Sequence, residues 1–316
     1  MNQLSDSLFA VSLLGYLLAL VVFGVAETLR RTPARRPQVA VAVAAPGTVA
    51  RPGAPAASPW LTASRASAGG AVAVAVATVA QAACLVTRAV AAGRVPWGNM
   101  YEFIVAVTLV GAATWLVLAA RHPAVRPLGL YVASCAVILL GAAGLHLYTP
   151  AGPLVPALQS AWLAVHVSAA AVATGLFLVG FLAAVALLLR SRHERRSGGR
   201  SADVRDTLGA RLPTEPLLRR LSFRMHSVGF VIWTFAVMAG AVWAEASWGR
   251  YWGWDPKETW AFISWVAYAA YLHAHATPSV RAPVAAWIAV VGWLTMMFNL
   301  FAVNLVFSGL HSYAGT

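Results

Sequence analysis

Apolar runs of membrane-spanning length recur along almost the whole chain, and they constrain its fold more than any other feature. A helix rises about 1.5 Å per residue, so about 20 residues cover the ~30 Å hydrocarbon core of a bilayer. Of the 316 residues, 60% are hydrophobic and only 10% are charged. Because lipid offers no partner to backbone N–H and C=O groups, even the strand-like alternation at 71–78 must be helical. The sequence therefore predicts an all-α, polytopic integral membrane protein.

Hydropathy predicts about eight spans: 4–26, 68–92, 101–120, 128–148, 161–189, 225–244, 257–275 and 284–307. The first run has no basic segment before it and no small-residue cleavage site after it, which favours a retained span over a signal peptide. The predicted organisation is a first membrane helix (1–29), a disordered Pro/Ala/Arg-rich cytoplasmic linker (30–66) and one transmembrane domain (67–316). Within that domain we expect an arginine-rich cytoplasmic loop at 190–224 and a tryptophan-rich outer loop at 245–260.

The basic residues are divided unequally between the two sets of loops. Of the 23 basic residues, 19 fall on one predicted side, ten of them in 190–224. The positive-inside rule assigns that side to the cytoplasm, so both termini are expected outside it, in a multi-pass protein of the cell membrane. The net charge of +13 is then interpreted as topogenic charge that meets membrane lipid, and no nucleic-acid partner is expected.

The two cysteines, Cys84 and Cys135, stand alone within apolar runs. Without a C-x-x-C pair, the sequence predicts no site for thiol–disulfide chemistry. It also lacks C-x-x-C-H, so it is not itself a c-type cytochrome.

Four tryptophans and one tyrosine fall within thirteen residues, Trp248–Trp260, which we call the aromatic loop. Tryptophan favours the membrane interface, so one interpretation is an aromatic belt. Glycine spacers between flat indoles favour a second interpretation, a surface on which a large planar ligand can stack. Within the loop, Asp255-Pro-Lys-Glu258 has the order of an N-cap, a proline at the first helical position and a capping-box glutamate. Capping is the favoured role of these carboxylates, and catalysis is the alternative.

Several ordered motifs over some 220 residues resemble haem-handling membrane proteins of cytochrome c assembly. The resemblance is to the CcsA/ResC branch (the actinobacterial "CcsB" type), with CcmC and CcmF as relatives. It rests on Pro96-Trp-Gly-Asn-Met-Tyr-Glu102, the segment 158–167, the tryptophan-rich (WWD-type) aromatic loop, Tyr271-Leu-His273 and the segment 304–313. Met100 stands where the family usually has leucine.

The resemblance implies a haem site built from the aromatic loop and two histidines. His166 and His311 correspond to the axial ligands of haem iron on the outer side, and His273 to a second haem position nearer the cytoplasm. The expected haem-binding set also includes four indoles and one carboxylate of the loop: Trp248, Trp252, Trp254, Trp260 and Asp255. His146, His226 and His275 have no ligand role that the resemblance supports. Arg250 or Lys257 either neutralises haem propionates or lies at the headgroup level.

The predicted topology agrees with this site without using the resemblance. His166 lies about one turn inside the outer end of the fifth span, and His311 lies just beyond the outer end of the eighth. The aromatic loop falls on the same side. Neutral imidazole is a standard ligand of haem iron. For His273, near the cytoplasmic boundary, the alternative interpretation is a histidine that snorkels to the interface.

The function that the resemblance implies is c-type cytochrome biogenesis. Haem b would be bound, moved across the membrane and presented outside for thioether attachment to C-x-x-C-H motifs of apocytochrome c. The chain would be the haem-binding subunit of a cytochrome c synthetase complex of the haem lyase type, working with a ResB-type partner. Two alternatives stay open, a membrane-embedded b-type haem electron carrier and a solute permease.

Overall fold

This computed structural model describes residues 2–31, 59–154, 158–197, 208–307 and 309. Those residues contain ten α-helices. In chain order they are α1 (Asn2–Arg31), α2 (Pro59–Ala92), α3 (Met100–Arg121), α4 (Gly129–His146), α5 (Ala161–Ser197), the single turn α6 (Leu208–Arg211), α7 (Glu215–Trp248), α8 (Pro256–Ala276), α9 (Ala282–Met297) and the short α10 (Val303–Val306). A 3₁₀ turn, Pro123–Leu128, precedes α4, and a π-helical turn, Phe298–Ala302, joins α9 to α10. The described residues contain no strand, and the alternating stretch 71–78 is helical within α2.

Seven of the described helical segments are long and apolar enough to cross a membrane, so the protein is a multi-pass membrane protein. The helix over the predicted seventh span, α8, is not among the seven, because its lysine, glutamate, tyrosine and histidine residues lower its mean hydropathy. Its outward face is nevertheless apolar, with Phe262, Ile263 and Val266 exposed as lipid-facing side chains are on the other helices. The count of eight spans and the outward position of the termini stay predictions.

Helix extends further into the two basic segments than expected. The expected linker 30–66 overlaps α1 at Arg30 and Arg31 and α2 from Pro59 onward, and residues 32–58 lie outside the described part. The expected loop 190–224 is helical up to Ser197, in the short α6 and again from Glu215, and residues 198–207 lie outside the described part. Arginine is a good helix former, so a membrane helix continues past the hydrocarbon core where the chain becomes basic.

The bundle is built from antiparallel neighbours, α1 with α2, α5 with α7 and α8 with α9, and α5 also packs against α3 and α9. Small residues allow these close approaches. At Gly175 of α5, for example, an added Cβ would lie 2.6 Å from Cβ of Val110 on α3. One end of the bundle carries the aromatic loop, and we call it the loop end. The opposite end carries the arginine-rich segments, and we call it the arginine end.

Candidate functional site

A cavity of about 190 Å³ opens at the loop end of the bundle. Its walls come from the start of α3, the start of α5, the end of α7, the aromatic loop and the α9–α10 segment. Most of the lining is apolar, and four indoles contribute to it: Trp97, Trp233, Trp243 and Trp252. Apolar concavities with a few convergent polar groups are typical of small-molecule and cofactor sites.

His166 lies in the wall of this cavity, on the second turn of α5. Its Nδ1 is 2.7 Å from the backbone oxygen of Ala236 on α7. A carbonyl can only accept, so Nδ1 carries the hydrogen, and in the neutral ring the lone pair lies on Nε2. Histidines that bind metals usually donate their other ring N–H to a carbonyl or carboxylate in this way, which fixes the orientation of the ring. The Ala236 contact therefore gives His166 the tautomer of a metal or haem ligand.

Two neighbours on α7 hold the imidazole of His166 in place. The ring of Trp243 lies nearly parallel to it, with centroids 6.3 Å apart and an interplanar angle of 12°. Gly240 passes so close that an added Cβ would lie 2.7 Å from the imidazole Cε1. The position of His166 thus depends on one aromatic ring and on the lack of a side chain at Gly240.

The aromatic loop turns sharply between α7 and α8. The helix α7 ends at Trp248, where Gly249 adopts φ = 68°, a left-handed conformation that glycine allows without a steric penalty. Trp254 also has a positive φ, 59°. Trp252 and the 62% exposed Tyr251 line the cavity, whereas Trp254, which is 65% exposed, does not. The loop therefore presents one indole to the cavity and one to the surface, perpendicular to each other with centroids 5.7 Å apart.

The predicted cap of the next helix is confirmed. The side chain of Asp255 accepts a hydrogen bond at the start of α8, from the backbone N–H of Lys257 at 3.2 Å. Oε2 of Glu258 accepts from the backbone N–H groups of Gly253 and Asp255, at 2.8 and 3.1 Å. These bonds form a capping box that fixes the aromatic loop to the start of α8.

Besides Trp254, two more tryptophans of the predicted site do not line the cavity. Trp248 packs edge-on against Trp243, with centroids 4.8 Å apart, in a small apolar cluster with Leu158 and Leu163. Trp260 lies over Phe298, with centroids 4.0 Å apart. Trp248 therefore supports a residue of the cavity wall, and the predicted direct contact of both indoles with a ligand stays a prediction.

The C-terminal segment returns to the aromatic loop. A Cβ added at Gly309 would lie 2.6 Å from Oδ1 of Asp255, so this glycine passes directly beside the carboxylate. His311, the second predicted iron ligand, lies outside the described residues. Before this contact the chain passes through the π-helical turn, in which the N–H of Val303 bonds to the oxygen of Phe298. Residues five apart then lie one above the other, and both Asn299 and Asn304 face the cavity.

A buried ion-pair network supports the α3 side of the cavity. Glu102 is fully buried and pairs with Arg88 at 3.0 Å and with Arg94 at 2.8 Å. Its Oε2 also accepts from the backbone N–H of Gly98, in the segment that carries the cavity residue Trp97. Asn99 caps α3 by accepting from the N–H of Glu102. The motif 96–102 therefore builds a wall of the site, a role that depends on contacts between distant parts of the chain and was not predicted from the motif.

The remaining histidines are distributed differently. His273, predicted for an inner haem position, is exposed near the arginine end of α8. His226 is fully buried, with Nδ1 bonded to the backbone oxygen of Ser222 at 2.8 Å. The described residues contain no cluster of three or more side chains suited to hold a metal ion by themselves.

Comparisons with known proteins cover this whole site. A family model described as cytochrome C assembly protein matches residues 97–311. A cytochrome c biogenesis protein CcsA from Parasynechococcus marenigrum (strain WH8102) is 37% identical over 261 residues, which span 76% of this chain and 84% of that protein. The CcsA of Chlamydomonas reinhardtii is 33% identical over 234 residues, spanning 72% of this chain and 64% of that one.

A solved structure shares the fold. Cytochrome c Heme Lyase CcmF aligns with a TM-score of 0.56 at 17% identity. The alignment covers 95% of this chain but only 46% of CcmF, so this chain corresponds to about half of that protein.

Proposed function

This chain belongs to the cytochrome C assembly protein family, and we propose that it binds haem in the loop-end cavity during c-type cytochrome biogenesis. The observation that carries the proposal is the pairing of a tryptophan-walled, largely apolar cavity with an imidazole oriented by a backbone carbonyl. Flat indoles offer stacking surfaces to a porphyrin, and His166 offers Nε2 to its iron.

We propose His311 as the second axial ligand. Gly309 contacts the Asp255 carboxylate, which lies at the start of α8 beside the aromatic loop. Two residues span at most about 7 Å, so the position of Gly309 supports the proposal that His311 reaches the loop end. A site at the cavity mouth is accessible to a second protein, as haem transfer to apocytochrome c requires.

For His273 we propose an inner haem position that is completed by another protein. The side chain is exposed, which suits a ligand shared with a partner. We identify that partner as a ResB-type protein and the ligand as haem b, on the basis of the family resemblance. The loop end is assigned to the extracytoplasmic side from the concentration of arginines at the other end.

The chemistry needs little from the protein beyond positioning. Each thiol of a C-x-x-C-H segment adds across a haem vinyl group, forming a C–S bond, breaking the C=C π bond and leaving the thiol proton on the other vinyl carbon. The histidine of the same segment replaces one protein ligand on the iron. Holding the reactants together in the correct orientation is a major source of rate enhancement. The aromatic loop and His166 would provide that orientation, which makes this chain the haem-binding subunit of a synthetase complex.

The test uses haem spectra of the purified full-length protein. His166→Gly and His311→Ala should each abolish the low-spin bis-histidine spectrum, and added imidazole should restore it in part. His146→Gly is the matched control, because His146 is exposed at the same end of the bundle and has no proposed role. An unchanged low-spin spectrum in His166→Gly would remove the ligand assignment. Haem that stays bound and unattached when a C-x-x-C-H peptide and the partner are added would favour the electron-carrier alternative.

A further inference from the structure

One corner of the loop-end cavity is polar. Besides the titratable His166, the only charged residues among the described cavity lining are Lys257 and Glu258. The charge of Glu258 is already compensated, because Oε2 accepts two backbone N–H bonds and lies 3.7 Å from Nη1 of Arg250. Lys257 is therefore the cavity charge that remains to be explained.

The ammonium group of Lys257 has one side-chain partner in the described part of the chain. Its Nζ donates to Oδ1 of Asn304 at 2.7 Å, and the nearby carboxylate of Asp255 favours the charged ammonium electrostatically without forming an ion pair within 4.0 Å. An ammonium has three N–H donors, so two remain for other acceptors. Lys257 is also the second residue of α8, where the helix dipole disfavours a cation. A cation kept at such a position beside an apolar cavity indicates an anionic group in the ligand.

Two asparagines complete this corner. Nδ2 of Asn304 donates to the backbone oxygen of Leu300 at 2.5 Å, which orients Oδ1 toward Lys257. Asn299 is only 6% exposed, lines the same cavity, and its Oδ1 has no hydrogen-bond partner. Turned about its last bond, the same amide presents two N–H donors to an acceptor. The π-helical turn brings both amides to this side of the cavity.

The other cation of the loop is arranged differently. Arg250 does not line the cavity; its guanidinium lies over Gly253, where an added Cβ would overlap it, and it faces Glu258. It therefore belongs to the turn of the aromatic loop. The sequence left open whether Arg250 or Lys257 neutralises haem propionates. This difference favours Lys257, because it lines the cavity and Arg250 does not.

We propose that Lys257, held by Asn304 and assisted by Asn299, binds a carboxylate group of the cavity's ligand. The inference rests on the proposed function, and under it the carboxylate is one propionate of haem. Binding there would orient the porphyrin, with a propionate edge at the start of α8 and the opposite, vinyl-bearing edge turned away from it. An ammonium–carboxylate hydrogen bond in a largely apolar cavity is among the stronger single polar contacts.

The experiment measures the affinities of haem and of haem dimethyl ester, in which both propionates are esterified, for the purified full-length protein. The wild type should prefer haem by about tenfold or more, as expected for a charge-assisted bond. Lys257→Met should reduce this preference to about twofold or less while leaving the affinity for the ester nearly unchanged. The retained ester affinity shows that the variant is folded. Arg250→Met, the same change at the loop cation outside the cavity, should keep the wild-type preference.

The outcomes separate the inference from the proposed function. Wild type that binds haem and its ester equally well would overturn the carboxylate site and leave the haem-binding proposal standing. A Lys257→Met variant that keeps the full preference for haem would do the same. Wild type that binds neither compound would overturn the proposed function and the inference with it.

Discussion

His166, Gly240 and Trp243 act as one unit in the cavity wall. The backbone oxygen of Ala236 sets the tautomer of the imidazole, and Trp243 lies parallel to the ring. A Cβ added at Gly240 would lie 2.7 Å from Cε1 of the imidazole, so the glycine leaves the space that the ring occupies. The tautomer and position of the His166 imidazole are therefore determined by α7, the helix opposite its own.

Gly240→Ala should displace the imidazole and weaken haem binding through His166. Without that contact the substitution would be favourable, because alanine stabilises a helix interior by about 1 kcal/mol relative to glycine. The measurement is the low-spin haem spectrum during titration of the purified variant.

Gly141→Ala is the matched control for this change, since Gly141 also lies within a helix and an added Cβ meets nothing within 4 Å. It should bind haem as the wild type does. A wild-type haem spectrum in Gly240→Ala would contradict the steric argument.

At the scale of elements, Glu102 joins three parts of the chain. It connects Arg88 at the end of α2 and Arg94 in the α2–α3 connection to the first turn of α3. The same arginines donate to backbone oxygens of Thr149 and Gly152, in the connection between α4 and α5. A fully buried carboxylate between two arginines therefore joins the end of α2 and the start of α3 to the α4–α5 connection at the loop end.

Glu102→Gln should destabilise the protein strongly. It would leave two arginines without their carboxylate, one of them only 1% exposed, and breaking a buried pair in this way costs about 3–5 kcal/mol. Glu194→Gln provides the control, because Glu194 is 42% exposed and pairs with Arg190 one turn away. Glu194→Gln should lower the free energy of unfolding by less than about 1 kcal/mol. Equal thermal unfolding midpoints for the two variants in detergent would refute the assignment of a structural role to Glu102.

At the scale of the whole molecule, the aromatic cavity and the arginine-rich segments lie at opposite ends of the bundle. Nineteen of the 23 basic residues fall in the segments predicted for one side. Arg211 pairs with Glu27, so part of that basic surface also joins α6 to α1. The charge asymmetry predicts that haem is presented outside the cytoplasm, and α8 must cross the membrane for this topology to hold.

Cysteine labelling tests the topology and the crossing by α8 together. In a background with Cys84→Ala and Cys135→Ala, Tyr251→Cys and Ser279→Cys each place one thiol at an exposed position beyond one end of α8. An impermeant maleimide should label position 251 in right-side-out vesicles and position 279 only in inverted ones. Labelling of both positions from one side would contradict a membrane-spanning α8 and reduce the number of crossings to seven.

The sequence alone determined those features that depend on local chemistry and on the bilayer. Apolar length predicts helices because backbone groups in lipid must bond within their own segment. The capping box at Asp255 and Glu258 is equally local, since it involves residues three apart. The motifs also indicated the family, and the family model covers residues 97–311.

Only the tertiary structure decided how those motifs share the site. It assigns Trp252 and Trp243 to the cavity wall and Trp248 to a supporting cluster, and it separates Lys257 from Arg250. Composition likewise did not predict that α2 begins at Pro59 and α7 at Glu215, within the segments predicted as linker and loop. Hydropathy and spacing report on neighbours along the chain, whereas each of these assignments depends on packing between helices that are distant in sequence.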